Sequence, residues 1–212
     1  MAVVLPGSFV YLAHPSTGST ATTTALLKIE GAFMPLDKRR TFGHHASMKQ
    51  VMSVCGDQFT GAEVIFTAVR NPYDALASWF VLNDNHFQMR HLEQVLQRPP
   101  RIKDFLDVWR QMDQMEQLTA EPWLRAGRMF YHVDAAREFI HQENLQHELD
   151  AVLRKVPKSP GRAPLRREHV TQGKDHWTTY YSDADYAYVN EHFRDEIVKF
   201  GYQFVWSNDS LA

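Results

Sequence analysis

The chain has 212 residues, 44% of them apolar, which predicts a globular protein with a buried core. Its formal net charge is −2, so a general nucleic-acid-binding surface is not expected. The single cysteine, Cys55, excludes an internal disulfide and is typical of a reducing compartment. Because no signal-peptide pattern and no apolar run of about 18 residues occur, we expect a cytoplasmic protein without a membrane span.

Predicted strands and helices alternate along the chain. The elements are predicted, in order, as a strand at 8–13, a helix at 18–29, a loop at 30–43, a helix at 48–54 capped by Ser47, a strand at 63–69, a helix from Pro72, a loop or lid at 84–100, a helix at 102–118, short strands at 129–133 and 138–141, a helix at 145–156, a loop from Pro157, and a helix from Ser182 to Gly201. This alternation predicts a single α/β domain over residues 1–212 with a mostly parallel central sheet flanked by helices. The regions near 84–100 and 157–175 are expected to be loop or lid insertions.

A turn of small residues joins the first predicted strand to its helix. It consists of Pro15, Ser16, Thr17, Gly18, Ser19 and Thr20. A turn before a helix N-terminus presents backbone N–H groups and the positive end of the helix dipole, so this turn predicts a site for a phosphate-like group. The Walker-type pattern is incomplete, since Ala13 replaces its first glycine and Ser19 its lysine, which argues against ATP or GTP hydrolysis.

A second candidate anion site follows the strand at 63–69. Arg70 stands at its end, and Ser78 lies eight positions further on in the next helix. Ligands of parallel sheets gather at the carboxyl ends of strands, where an arginine can bind a phosphate with two hydrogen bonds. Two phosphate sites at one sheet edge predict a nucleotide with phosphates at both ends of its ribose.

Two segments resemble the sulfotransferases that use 3′-phosphoadenosine 5′-phosphosulfate (PAPS), in their carbohydrate-type branch. The stretch from His14 to Thr20 is similar to the family's P-K-T-G-S-T loop, and Phe66 to Trp79 is similar to its F-x-x-V-R-N-P-Y-D-x-L-x-S-W segment. Shorter resemblances are those of His45-Ala46-Ser47 to K-H-A-T, of Phe139–Leu145 to a strand ending in R-x-E-N-L, and of His176–Tyr181 with the following helix to the family's tail. Together they run from Phe9 to Tyr202.

The resemblance implies a P-loop-like fold and transfer of a sulfuryl group from PAPS to a hydroxyl or amine, with release of 3′,5′-ADP. The implied acceptor is a small molecule or a carbohydrate, and no metal, nucleic acid or membrane span is implied. Residues 15–20 would hold the 5′-phosphosulfate, while Arg70 and Ser78 would hold the 3′-phosphate. The candidate catalytic residues are His45, which matches the family's histidine and would act as base, its neighbour His44, and Ser16; Glu63 is a weaker candidate base.

The chain departs from the family at two positions. The loop lysine falls at Ser16, and the arginine of R-x-E-N-L falls at His141. Another cation could replace the lysine, with Lys174, Arg167 or His14 as candidates, and Lys174 is included among the expected nucleotide-binding residues. The alternatives are a slow enzyme, a non-catalytic PAPS- or 3′,5′-ADP-binding protein of the same fold, and a P-loop small-molecule kinase.

Two late segments each have two interpretations. The basic residues Arg162, Arg166, Arg167 and Lys174 could contact an anion or form a solvated loop. The aromatic residues Trp177, Tyr180 and Tyr181 could stack on a ligand ring or anchor the helix that follows them.

Overall fold

A computed structural model describes residues 2–14, 17–35, 48–58, 63–83, 93–107, 135–166 and 174–207. The chain forms two compact units. The first consists of Met1–Arg70 and Met129–Val170, and the second of Asn71–Arg128 and Thr171–Ala212. In the described parts, no helix combines the length and the apolar character that crossing a membrane requires.

The first unit contains a four-stranded sheet. Its strands are β1 (Ala2–Leu5), β2 (Phe9–Leu12), β3 (Val64–Val69) and β4 (Glu138–His141), in the spatial order β1-β2-β3-β4. The pair β1–β2 is antiparallel, whereas β2–β3 and β3–β4 are parallel. The predicted α/β class with a mostly parallel sheet and flanking helices is therefore confirmed.

Helices follow the strands in chain order. Those described along their whole length are α1 (Ser19–Leu26), α2 (Met48–Cys55), α3 (Pro72–Asn83), α4 (Leu145–Lys155), α5 (Asp183–His192) and α6 (Arg194–Lys199). Residues 93–96 and 102–107 are also helical. Alternate strand residues point to opposite faces of the sheet, so the sheet has two apolar faces. Within the first unit, α1 and α4 cover one of these faces and α2 covers the other.

The two faces of the sheet have separate apolar clusters. Phe9, Tyr11 and Phe66 pack against Leu26 of α1 and Leu149 of α4. On the opposite face, the core cluster consists of Ala2, Val4, Val10, Leu12, Val51 and Cys55, the last two from α2. The lone cysteine is thus part of the core, and burial raises the pKa of its thiol.

The second unit is organised around the aromatic ring of Tyr73. Trp177 stacks on it with ring centroids 5.4 Å apart, and Tyr181 and Tyr186 meet it edge-on. Its hydroxyl donates a hydrogen bond to Oδ1 of Asn190 and accepts one from the Val205 N–H at 3.0 Å. These contacts favour the packing interpretation of Trp177 and Tyr181 over a role in stacking on a ligand.

Several boundaries differ from the sequence predictions. Strand β1 was not predicted, although Pro6-Gly7 marks the turn that joins it to β2. The helix predicted from Ser182 to Gly201 is wrong in its length, since Phe193, with φ −115° and ψ 25°, separates α5 from α6. The capping box of Ser182 and Asp185 is confirmed. The predicted strand at 129–133 and the end of the helix at 102–118 lie outside the described residues.

Candidate functional site

Three parallel strands of the first unit end at the same sheet edge. Leu12 of β2 is paired with Thr67 of β3, and Val69 of β3 is paired with His141 of β4. The turn before α1, Arg70 and the turn after His141 therefore all leave the sheet at its carboxyl edge. This is the edge where parallel sheets bind ligands.

The turn before α1 is built around Gly18. Its φ of +72° is left-handed, a conformation that glycine adopts without the steric penalty of a side chain. The buried Thr17 hydroxyl donates to the His14 carbonyl at 2.9 Å, and this hydrogen bond supports the turn. Ser19 and Thr20 are partly exposed at the start of α1, whose first turn has no acidic residue. The positive end of α1 therefore has no carboxylate of its own helix to neutralise it.

The start of α4 lies against the start of α1. A Cβ built on Gly18 would lie 2.7 Å from Cδ2 of Leu145, the first residue of α4. The first residue of α4 therefore contacts the N-cap of α1 at the carboxyl edge of the sheet. The first N–H groups of each helix carry partial positive charge, but only α1 lacks a carboxylate in its own first turn, since α4 has Glu148 there.

Tyr11 lies fully buried below the turn. Burial raises the pKa of the Tyr11 phenol well above its usual value. Tyr11 is therefore neutral at neutral pH and adds no negative charge beneath the anion-favouring turn.

Arg70 follows the buried end of β3 and is itself partly exposed. The last four residues of β3 are fully covered, and the Thr67 hydroxyl donates to the Leu12 carbonyl at 2.7 Å, which ties β3 to β2. The strand thus holds the backbone of Arg70 at a fixed place on the carboxyl edge. Its guanidinium can bind an oxyanion with two parallel hydrogen bonds.

His141 and Glu148 form a pair at the end of β4. The backbone N–H of His141 donates to Oε2 of Glu148 at 2.7 Å, and its ring Nδ1 lies 2.9 Å from the same oxygen. Glu148 belongs to the first turn of α4, so the pair closes the strand-to-helix connection through Gln142–Asn144. Sequence reasoning noted His141 only as a departure from the family pattern and did not identify Glu148 at all.

Two predicted binding residues, Ser78 and Lys174, belong to the second unit, and both contact Asp74. Ser78 is 1% exposed, and its hydroxyl donates to the Asp74 carbonyl at 3.0 Å. The Lys174 ammonium forms an ion pair with the Asp74 carboxylate. The described geometry thus gives each of these side chains a contact within its own unit, and their roles with nucleotide stay predictions.

Other predicted residues lie elsewhere. Pro15, Ser16, His44 and His45 lie outside the described residues, as does Arg167. Glu63 precedes β3 at the opposite edge of the sheet, where its buried carboxylate accepts the Gly7 N–H at 2.9 Å. Its candidacy as base at the carboxyl edge is therefore wrong. Arg162 lies 3.7 Å from Asp150 of α4, in a loop that packs along that helix.

Among the described residues, no group of three or more His, Cys, Asp or Glu side chains is arranged to hold a metal ion. The carboxyl edge of the first unit's sheet brings together the N–H groups of the turn before α1, Arg70 and the pair of His141 and Glu148. We call this arrangement the anion-favouring edge. Comparison with protein-family models, with curated proteins and with solved structures found no match.

Proposed function

We propose that the chain is a PAPS-dependent sulfotransferase with a P-loop-like fold. One observation supports this proposal most: the Gly18 turn at the start of α1 and Arg70 at the end of β3 leave the sheet at the same edge. A nucleotide with a 5′-phosphosulfate and a 3′-phosphate needs two separated anion sites of this kind. The resemblance of residues 66–79 to the family segment implies that Arg70 binds the 3′-phosphate.

In the proposed reaction, an acceptor hydroxyl oxygen bonds to the sulfur of PAPS. The bond from that sulfur to the 5′-phosphate oxygen breaks, and 3′,5′-ADP leaves with the bonding electrons. The hydroxyl proton passes to a base, for which His45 stays the predicted residue. The turn N–H groups and the α1 N-terminus would stabilise the negative charge that develops on the phosphate side.

Calorimetry with 3′,5′-ADP and 5′-AMP tests the 3′-phosphate site. We expect tighter binding of 3′,5′-ADP, and Arg70→Gln should remove most of that preference. Hydrogen bonds to charged groups contribute about 1.5–3 kcal/mol, which corresponds to roughly 10–150-fold in affinity. Arg137→Gln is a matched control, since the exposed Arg137 precedes β4 at the opposite end of that strand. Equal affinity of the wild-type protein for the two nucleotides would contradict the proposal.

A second candidate is a protein that binds the nucleotide without transferring sulfate. Ser16, at the position of the family's loop lysine, favours this alternative. Loss of one preorganised donor typically lowers the rate by about 10²–10³. Sulfate transfer should be measured with PAPS and a panel of sugar, phenol and amine acceptors, in the wild-type protein and in Ser16→Lys. Robust wild-type turnover excludes the binding-only alternative, whereas turnover that appears only in Ser16→Lys supports it.

A further inference from the structure

His141 lies at the anion-favouring edge, beside the end of β3 and just before the turn that leads to α4. Its β-partner is Val69, and the residue after Val69 is Arg70. Immediately after His141, the Gln142–Asn144 turn leads to Leu145, which lies against Gly18. The histidine is therefore connected by register to Arg70 and by one short turn to the start of α4.

The Glu148 carboxylate selects the tautomer of the His141 ring in which Nδ1 carries a hydrogen. One carboxylate oxygen accepts both the backbone N–H and the Nδ1 side of the imidazole, at 2.7 and 2.9 Å. With Nδ1–H directed at this oxygen, the second ring nitrogen, Nε2, is the atom that gains or loses a proton. The two side chains are 33% and 26% exposed, so a dissolved ligand can reach the pair.

The charged groups around the ring oppose one another. The Glu148 carboxylate of α4, 2.9 Å from Nδ1, favours the protonated ring. Arg70 follows Val69, the strand partner of His141, and a positive charge at that place favours the neutral ring. An arriving phosphate dianion adds negative charge to this balance and thereby favours protonation.

We propose that His141 is a proton-dependent cation of the nucleotide site: it takes up a proton when the phosphate group binds and then donates to it through Nε2–H. This inference rests on the proposed function, because it takes 3′,5′-ADP as the ligand. Binding would then couple to one proton, with Glu148 as the permanent counter-charge. A cation that depends on pH would distinguish this chain from relatives of the resembled family that carry arginine at this position.

The test is calorimetry with 3′,5′-ADP between pH 6 and 8, in buffers of different ionisation enthalpy, which measures proton uptake directly. We expect the wild-type protein to take up as much as about one proton and to gain at most about tenfold in affinity per pH unit on acidification. The nucleotide's own phosphates ionise near pH 6, so the variants are compared with one another. The ionisation of the free nucleotide is the same for every variant.

Three variants separate a charge from a structural role. His141→Gln should bind as the wild type does at pH 8 but lose the extra affinity and the proton uptake at pH 6. His141→Arg should bind at pH 8 as tightly as the protonated wild type does at pH 6, with little proton uptake. Glu148→Gln keeps an oxygen for the His141 N–H but removes the counter-charge, so it should reduce the gain at pH 6.

His147→Gln is the matched control, because His147 is an exposed histidine of α4 and should leave the proton uptake unchanged. Wild-type proton uptake in His141→Gln would overturn the inference and leave the proposed function intact. Weak binding by His141→Arg at every pH would also overturn it, since the position would then need only the histidine shape. Absence of 3′,5′-ADP binding by the wild type at any pH would overturn both.

Discussion

Gly18 and Leu145 meet where two helices begin, and a carbon atom added at Gly18 would displace the end of the Leu145 side chain. A Cβ on Gly18 would lie 2.7 Å from Cδ2 of Leu145, closer than real Cβ contacts. The same glycine has a φ of +72°, so both its backbone conformation and the nearby Leu145 side chain disfavour a larger residue. This contact brings the N-terminus of α1 close to that of α4 at the carboxyl edge of the sheet.

Gly18→Ala should therefore lower the free energy of unfolding in two ways. The left-handed conformation costs an alanine about 1–2 kcal/mol, and the clash with Leu145 adds to this. Urea unfolding measures the sum. Gly201→Ala is the matched control, because Gly201 has a φ of +71° and nothing within 4 Å of a built Cβ. Equal destabilisation by the two substitutions would show that the Leu145 contact contributes nothing.

The sequence predicted the elements that have a strong local pattern. The β-branched run of β3, the turn before α1 and the capping box at Ser182 were each recognisable from residue types a few positions apart. The short apolar run of β1 was overlooked, although its pairing with β2 needs only the three-residue connection Pro6–Ser8. Two short apolar runs separated by three residues that include Gly7 form a hairpin pattern that is visible in the sequence alone.

The pairs that build the candidate site could not be predicted in the same way. His141 and Glu148 are seven positions apart, and their contact depends on the 3₁₀ turn between a strand and a helix. Gly18 and Leu145 are 127 positions apart and meet only because β2 and β4 flank the same strand. Asp74 and Lys174 belong to segments with no shared pattern. Such contacts are properties of the tertiary fold, which local propensity does not encode.

The ion pair of Asp74 and Lys174 should stabilise the second unit. The two side chains are 18% and 12% exposed, and Asp74 also lies in the first turn of α3, where a negative charge is favourable. Removing either partner leaves a mostly covered charge without its counter-charge, so Asp74→Asn and Lys174→Met should each lower the unfolding free energy by about 1–3 kcal/mol.

A double-mutant cycle measures the coupling within this pair. The pair of Glu138 and Lys155 is the matched control, with side chains 33% and 62% exposed at 3.2 Å. Because water screens exposed pairs, its coupling should be about 0–1 kcal/mol. Equal coupling energies for the two pairs would contradict the argument from burial.

Tyr73→Phe should destabilise the second unit because it removes one hydroxyl with two buried partners. The Oδ1 of Asn190 would lose its donor, and the Val205 N–H would lose its acceptor. Unsatisfied buried groups cost about 1–3 kcal/mol each, so the total effect should exceed that of a single exposed hydrogen bond. Tyr180→Phe is the control, since the Tyr180 hydroxyl accepts the exposed Asp175 N–H at 3.0 Å. Chemical denaturation that gave both variants the same stability would contradict the prediction.

The last prediction concerns alkaline pH and follows from Tyr11. Burial raises the pKa of Tyr11 in the folded protein above its unfolded value of about 10. Between these two values the unfolded chain has lost the phenol proton that the folded protein keeps, so protons favour the folded state and stability falls as pH rises. The slope is at most about 1.4 kcal/mol per pH unit for this group, and it begins near pH 10.

Burial also raises the pKa values of Tyr181 and Tyr186, so other tyrosines add to the alkaline loss of stability. Tyr11→Phe should therefore make the decline shallower without abolishing it. Urea unfolding at intervals from pH 7 to 11 gives both slopes, and the two proteins should show the same pH dependence at the neutral end of this range, where the phenol is protonated in both states. Identical slopes above pH 10 would mean that Tyr11 ionises as easily in the folded protein as in the unfolded chain, which its complete burial beneath the Gly18 turn opposes.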